Sequence, residues 1–147
     1  MKNIFRTILP AIILSAVSSP AFAAELNVDG VWMTAGRSGI VEIKDCWDGT
    51  PCGTLVWVLP FDNGAIPLDD KNPDPELAKR SMLGVSLLSG FKAKGDKWKS
   101  GTIYNPEDGK TYKSHLVLAS DNVLKVKGCI GPICQTQIWH RLPFDNK

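Results

Sequence analysis

The feature that most constrains this chain is its rhythm: about eight short runs alternate polar with β-branched, aliphatic or aromatic residues, each bounded by turn-forming residues. The runs are Gly30 to Thr34, Ser38 to Asp45, Cys52 to Leu59, Val85 to Lys92, Lys97 to Tyr104, Thr111 to Leu118, Val123 to Cys129 and Cys134 to Leu142. Most connectors are of hairpin length, so the reading is all-β: a single antiparallel up-and-down barrel. Gly30-Val31-Trp32 opens the first run and Trp139-His140-Arg141 lies in the last. Pairing of those two strands would leave the sheet without an edge. It would also bring the Arg141 guanidinium onto the Trp32 indole, a contact worth about 0.5 to 2 kcal/mol.

One connector is long, from Pro60 to Gly84. Within it Asp74 fits a helix N-cap and Pro75 the first helical position, which predicts one short helix reaching about Arg80. Alternation assigns faces to the strands. Tyr112, Ser114, Leu116 and Leu118 are expected inside, as are Leu124 and Val126. In the fifth run the lysines suggest that Trp98, Ser100, Thr102 and Tyr104 point in and Ile103 out. The third run is apolar on both faces, with Leu55, Trp57 and Leu59 against Val56 and Val58, and its outer face is expected to lie under the long connector.

In a meander successive turns alternate between the two barrel ends. The turn near Gly36, the long connector, the Asn105 to Lys110 turn and the Cys129 to Cys134 turn therefore share one end. The chain start, the Cys46 to Cys52 turn and Arg141 share the other. Trp32, Trp139 and Arg141 are read as structural residues, with Trp32 and Arg141 plugging one end and the elaborated loops ringing the opposite mouth. Ligand pockets of small barrels occupy such mouths.

Residues 1–23 read as a secretory leader, with Lys2 and Arg6 as its charged start, Ile8 to Val17 as its apolar stretch and Ala21-Phe22-Ala23 as its cleavage site. An uncleaved anchor is the alternative, but the apolar stretch contains Pro10 and falls short of the roughly 20 apolar residues of a spanning helix. Residues 24–147 then form one barrel domain, periplasmic or secreted, with no later transmembrane segment. The chain has 17 basic and 15 acidic residues, so loss of Lys2 and Arg6 brings the charges into balance. Lysines interleave with carboxylates along the sequence, which sets aside a nucleic-acid partner. The 4 cysteines are assigned as disulfides Cys46–Cys52 and Cys129–Cys134, because each pair brackets a short turn in an exported chain. A zinc cage is the competing use, and the spacings depart from those of zinc knuckles.

Gly30-Val31-Trp32 with Arg141 resembles the calycin motif of lipocalins and related barrels. More specifically, the order Gly-Val-Trp, Asp70-Lys71-Asn72-Pro73-Asp74, Leu83-Gly84, Trp98 to Pro106, Gly109-Lys110-Thr111-Tyr112 and Trp139-His140-Arg141 resembles the bacterial domain of unknown function 2147 family. The likeness covers nearly all of the mature chain. It implies an exported lipocalin-like barrel without a settled biochemical role and supplies no catalytic residues. The cysteine pairs stand outside the family pattern.

For function, Asp69, Asn72, Arg80, Tyr104, Tyr112 and Gln137 are the candidate ligand-binding residues. Tyr104 and Tyr112 flank a tight turn and are expected to meet across it, offering two hydroxyls and two rings; a pair that only stabilises the hairpin is the alternative. Arg80 could meet an anionic group or only pair with Glu76. Gln137 shares one face of the last strand with Gln135, Trp139 and Arg141; if that face is interior, its polarity must be satisfied by partners, water or a ligand head group. Asp70, Asn72 and Asp74 match the first ligands of a calcium loop, but Pro75 and Ser81 stand where that loop needs glycine and glutamate, so an Asx-type turn is preferred and no metal or cofactor is expected. A carboxylate pair of Asp69 or Asp70 with Asp108 is the sole hydrolytic option, since His115 and His140 face outward, and the chain is read as a non-enzyme. The expected partner is a small hydrophobic or amphipathic molecule in the barrel mouth. The alternative is a filled barrel that docks an envelope protein through Trp47, Trp57 and Phe61.

Overall fold

The computed structural model describes residues 26–143; the leader predicted at 1–23 lies outside the described residues. Nine strands follow one another: β1 (Gly30–Met33), β2 (Gly39–Asp45), β3 (Pro51–Val58), β4 (Ser86–Ser89), β5 (Lys92–Lys94), β6 (Lys97–Asn105), β7 (Lys110–Ser120), β8 (Val123–Ile130) and β9 (Ile133–Arg141). Their order is β4-β3-β2-β1-β9-β8-β7-β6-β5, and a further β4–β6 pairing closes the ring into an antiparallel barrel of 8 strands. The first and last strands do pair, with Trp32 opposite Arg141 and Met33 opposite His140. β5 continues along β6 beyond β4. The fourth predicted run is thus broken in two, because Gly90 takes φ 72° and Phe91 turns into the core.

Inward residues at every second position build one core, in which Trp32, Val41, Ile43, Leu88, Leu116, Leu124 and Trp139 are fully buried. Glycine makes room where strands crowd: a Cβ on Gly101 would come within 2.3 Å of the Phe91 ring. The alternation predicted for β7 and β8 holds. In β6 it fails, because a register shift between Trp98 and Gly101 puts Ser100 at φ 59° and reverses the phase beyond it. Ile103 consequently turns inward, paired with Leu88 and packed on the core, and Ser100 is exposed. A similar shift between Ile40 and Val41 leaves Val56 and Trp57 on the surface, 44% and 38% exposed, so the long connector does not cover the outer face of β3.

The far end is sealed by contacts to backbone carbonyls. The Trp32 indole donates to Val28 O at 2.9 Å, and the Trp98 indole donates to Leu26 O at 2.8 Å. The Arg141 guanidinium lies 4.2 Å from the Trp32 ring centroid and donates from Nε to Asp121 O at 2.5 Å and from Nη1 to Asp29 O. Gly30, at φ 139°, is required there because a Cβ would strike the guanidinium. The cysteines pair as Cys46–Cys52 and Cys129–Cys134, with Cα separations of 5.3 and 4.0 Å.

In the long connector the predicted helix shrinks to a 3-10 turn, Leu77–Lys79. Asp74 does accept a hydrogen bond from the Glu76 N–H at 2.8 Å. The helix stops after one turn because Arg80 is extended (φ −75°, ψ 152°), where its carbonyl accepts from Asp69 N at 3.0 Å and Ser81 bridges to Leu68.

Candidate functional site

At the end opposite the Trp32–Arg141 plug the barrel opens into a cavity of about 710 Å³. The loops assigned by parity to one end all reach it: Thr34, Ala35 and Ser38 from the first turn, Pro67, Leu68, Asp70 and Met82 from the long connector, Asn105 to Asp108 from the β6–β7 turn, and Ile130 with Ile133 from the β8–β9 tip. Leu55, Val58, Leu87, Ile103 and Val126 supply an apolar wall, and Trp139 is buried at 1% exposure where it borders the space. Polarity enters along β9. Gln137 accepts the Trp139 indole N–H on Oε1 at 2.9 Å, which leaves its amide NH2 as a donor for the cavity.

Of the six residues predicted to bind a ligand, Tyr104, Tyr112 and Gln137 border this cavity; Asp69, Asn72 and Arg80 do not. Those three stand behind the wall and fasten it. Asp69 is buried, and its carboxylate accepts from the Tyr104 hydroxyl at 2.6 Å, from Asn72 Nδ2 at 2.9 Å, and from Arg80 Nε and Nη2 at 3.0 and 2.8 Å. Asn72 Nδ2 also donates to the Tyr104 oxygen at 3.1 Å. Arg80 therefore pairs with Asp69 rather than with Glu76, which is taken by Lys79 at 2.8 Å. The node ties the long connector to β6 and sets the position of Leu68 and Met82 over the mouth. Burial first, and the Asp69 hydrogen bond second, push the Tyr104 pKa up to about 12.

The two tyrosines do not oppose each other. Tyr104 pairs with Thr111 and Tyr112 with Ile103, so the pleat sends their side chains to opposite sides of the hairpin. The Tyr112 hydroxyl instead donates to Asp108, which lowers the Asp108 pKa and raises that of Tyr112. Gly109 sharpens this turn at φ 70° and abuts Lys71 O so closely that no Cβ fits.

Asn72 Oδ1 accepts from Asp74 N at 3.0 Å, the geometry of an Asx turn. Among the described residues no His, Cys, Asp or Glu side chains group as metal ligands. Asp69, enclosed by Arg80, Tyr104 and Asn72, is not free to act with Asp108 on a substrate. The apolar lining from Ile103, Met82, Leu87, Ile130 and Ile133 was not singled out from sequence; the exposed pair of isoleucines beside Gly131-Pro132 was the signal available for the last two.

The architecture can be set beside known proteins. The family described as an uncharacterized protein conserved in bacteria, DUF2147, matches residues 30–141. The chain belongs to the DUF2147 family. A search of curated proteins found no match. Among solved structures, this DUF2147 protein resembles protein HP1028 from the human pathogen Helicobacter pylori, which belongs to the lipocalin family. That likeness has a TM-score of 0.68 and 27% identity, and covers 80% of this chain and 84% of the other. The DUF2147 barrel is lipocalin-like, as its motif order implies. No helix among its described residues is long and apolar enough to cross a membrane.

Proposed function

We propose that this protein is an exported, non-enzymatic carrier that holds a small, largely apolar molecule in the loop-ringed mouth of the barrel. The observation that carries the reading is the cavity of about 710 Å³, whose inner wall is apolar (Leu55, Val58, Met82, Leu87, Ile103 and Val126) and whose polar residues come from the rim and from β9. An open interior also separates this reading from a solid scaffold. Both disulfides, together with the predicted leader, favour a periplasmic or secreted location.

Charge at the rim narrows the ligand. Asp70, Glu107 and Asp108 border the cavity and, among the described residues, no lysine or arginine does, so a neutral or cationic head group suits it better than a carboxylate. Tyr104, Tyr112 and Gln137 contact the ligand, and Asp69, Asn72 and Arg80 act by holding the wall.

The test is displacement of an environment-sensitive apolar dye from the mature protein, with Val126→Trp filling the cavity. Dye binding is expected in the native protein and lost in the variant, with neutral amphiphiles competing better than fatty acids of equal length. Equal dye signal in both proteins would reject the cavity as the binding site. Native mass spectrometry of protein purified from its own host provides the ligand mass.

A further inference from the structure

The lysines that look dispersed along the sequence are gathered by the fold. On β8, Lys125 and Lys127 pair with Val117 and His115, and on β7 Lys113 pairs with Thr102 and Cys129. The residues between them, Ser114, Leu116, Leu124 and Val126, fill the core, so these lysines all project from the outer wall. The neighbouring strands add to the same face. Lys92 lies opposite Lys99, and Lys94 opposite Lys97. No aspartate or glutamate occurs anywhere in β5, β6, β7, β8 or β9. Asp96, in the β5–β6 turn, meets only Lys97 at 3.6 Å.

Structural reasons do not account for this wall. Lysine on an edge strand guards against sheet-to-sheet pairing, which covers Lys92 and Lys94 on β5. It does not cover Lys113, Lys125 and Lys127, whose strands are paired on both sides. Like charges directly across a ladder are destabilising, yet the pairs Lys92–Lys99 and Lys94–Lys97 are in that position. The field there is felt locally: after burial, Lys99 and Lys127 are what hold the His115 pKa below its ordinary value.

We propose that the outer face of β5 to β8 docks the barrel on an anionic phospholipid surface. The charge is complementary, and its chemistry favours lipid over nucleic acid. The wall is built of lysine without arginine, and the aromatic residues of these strands, Trp98, Tyr104 and Tyr112, pack against the core or border the cavity. Nucleic-acid sites use arginine forks and exposed stacking rings, whereas ammonium groups serve as point charges for mobile head groups. On the other side of the barrel β2 carries Glu42 and Asp45, so an anionic surface would orient the molecule with the lysine wall toward it. This docking does not depend on what the cavity holds.

The test uses the mature full chain and flotation with vesicles of phosphatidylcholine alone or mixed with phosphatidylglycerol, at low and high salt. Binding is expected only to the mixed vesicles at low salt. One variant carries Lys113→Gln, Lys125→Gln and Lys127→Gln; a control removes the same charge elsewhere with Lys44→Gln, Lys71→Gln and Lys79→Gln. Each wall lysine contributes about fivefold in partitioning, so the first variant should bind about a hundredfold more weakly while the control changes little. Absence of binding to mixed vesicles, or equal weakening in both variants, overturns the proposal. So does tighter binding to a DNA duplex than to vesicles under the same conditions. Dye binding by the cavity is measured on the same samples, so failure of the carrier reading would be seen separately.

Discussion

Replacing Asp69 with asparagine tests whether the wall of the mouth is held by one buried carboxylate. Its side chain is 0% exposed and receives hydrogen bonds from Tyr104, Asn72 and twice from Arg80. Full loss of one partner of a buried ion pair typically costs about 3 to 5 kcal/mol. Arg80, however, is 38% exposed along its side chain, so water takes over part of its solvation. The Tyr104 hydroxyl is less accessible, and an orphaned polar group costs about 1 to 3 kcal/mol. Asparagine keeps one acceptor oxygen, and the expected destabilisation is therefore about 2 to 3 kcal/mol.

The comparison is Asp70→Asn next door, whose exposed carboxylate faces only Lys71 at 3.6 Å; it should change stability by less than about 0.5 kcal/mol. Urea unfolding followed by tryptophan fluorescence measures both. Hydrogen exchange locates the effect, since the amides of Asp69, Asn72 and Met82 donate to Arg80 O, Asp69 O and Pro67 O within the connector and should exchange faster in the Asp69 variant. If Asp69→Asn unfolds at the same urea concentration as Asp70→Asn, with those amides unchanged, the node does not hold the wall.

Arg141→Ala removes a stacked cation and its bonds to Asp29 O and Asp121 O, and should cost about 2 kcal/mol in the same assay, with Arg141→Lys recovering only part because an ammonium cannot span both carbonyls. Gly101→Ala drives a Cβ into the Phe91 ring and should destabilise by about 1 to 3 kcal/mol. Tyr104 titrates at about 12 in the folded state against 10.0 unperturbed. Its contribution is therefore complete below pH 10 and lost as pH rises through about 12. Stability measured across that window should fall less steeply in Tyr104→Phe than in the native protein.

Barrel closure was legible because it depends on alternation and parity, which are counted residue by residue. The same counting failed where the chain inserts an extra residue. Neither Ser100 nor Val56 announces a bulge, yet each shifts the phase of the residues after it, which is why Ile103 lines the cavity and Trp57 does not pack inside. In the long connector the sequence pointed to Asp69, Asn72 and Arg80 as candidate ligand contacts, with Glu76 as the alternative partner of Arg80. It could not tell whether their partner was a ligand or one another, because Tyr104 is 35 residues from Asp69 and only the fold brings them together. The lysine wall was hidden for the same reason: β5 to β8 are contiguous in space, while the carboxylates that interrupt their lysines in sequence lie in turns.

The two ends of the barrel are held by different chemistry, and this divides their responses. At the plug, Trp32, Trp98 and Arg141 donate to backbone carbonyls, acceptors that do not ionise. At the mouth, the connector hangs on Asp69, Arg80 and Tyr104, and the β6–β7 turn on Asp108 and Tyr112. The Asp108 pKa is lowered, chiefly by the Tyr112 hydroxyl; its contribution is present above the unfolded value of 3.8 and lost as pH falls through the folded one. Tyr104 sets the corresponding alkaline limit. Between them the rim stays assembled, and beyond either limit its loops should loosen first while the strands and plug persist. The carrier proposed above would need that ordering, since a cavity that admits a ligand must open without the barrel coming apart.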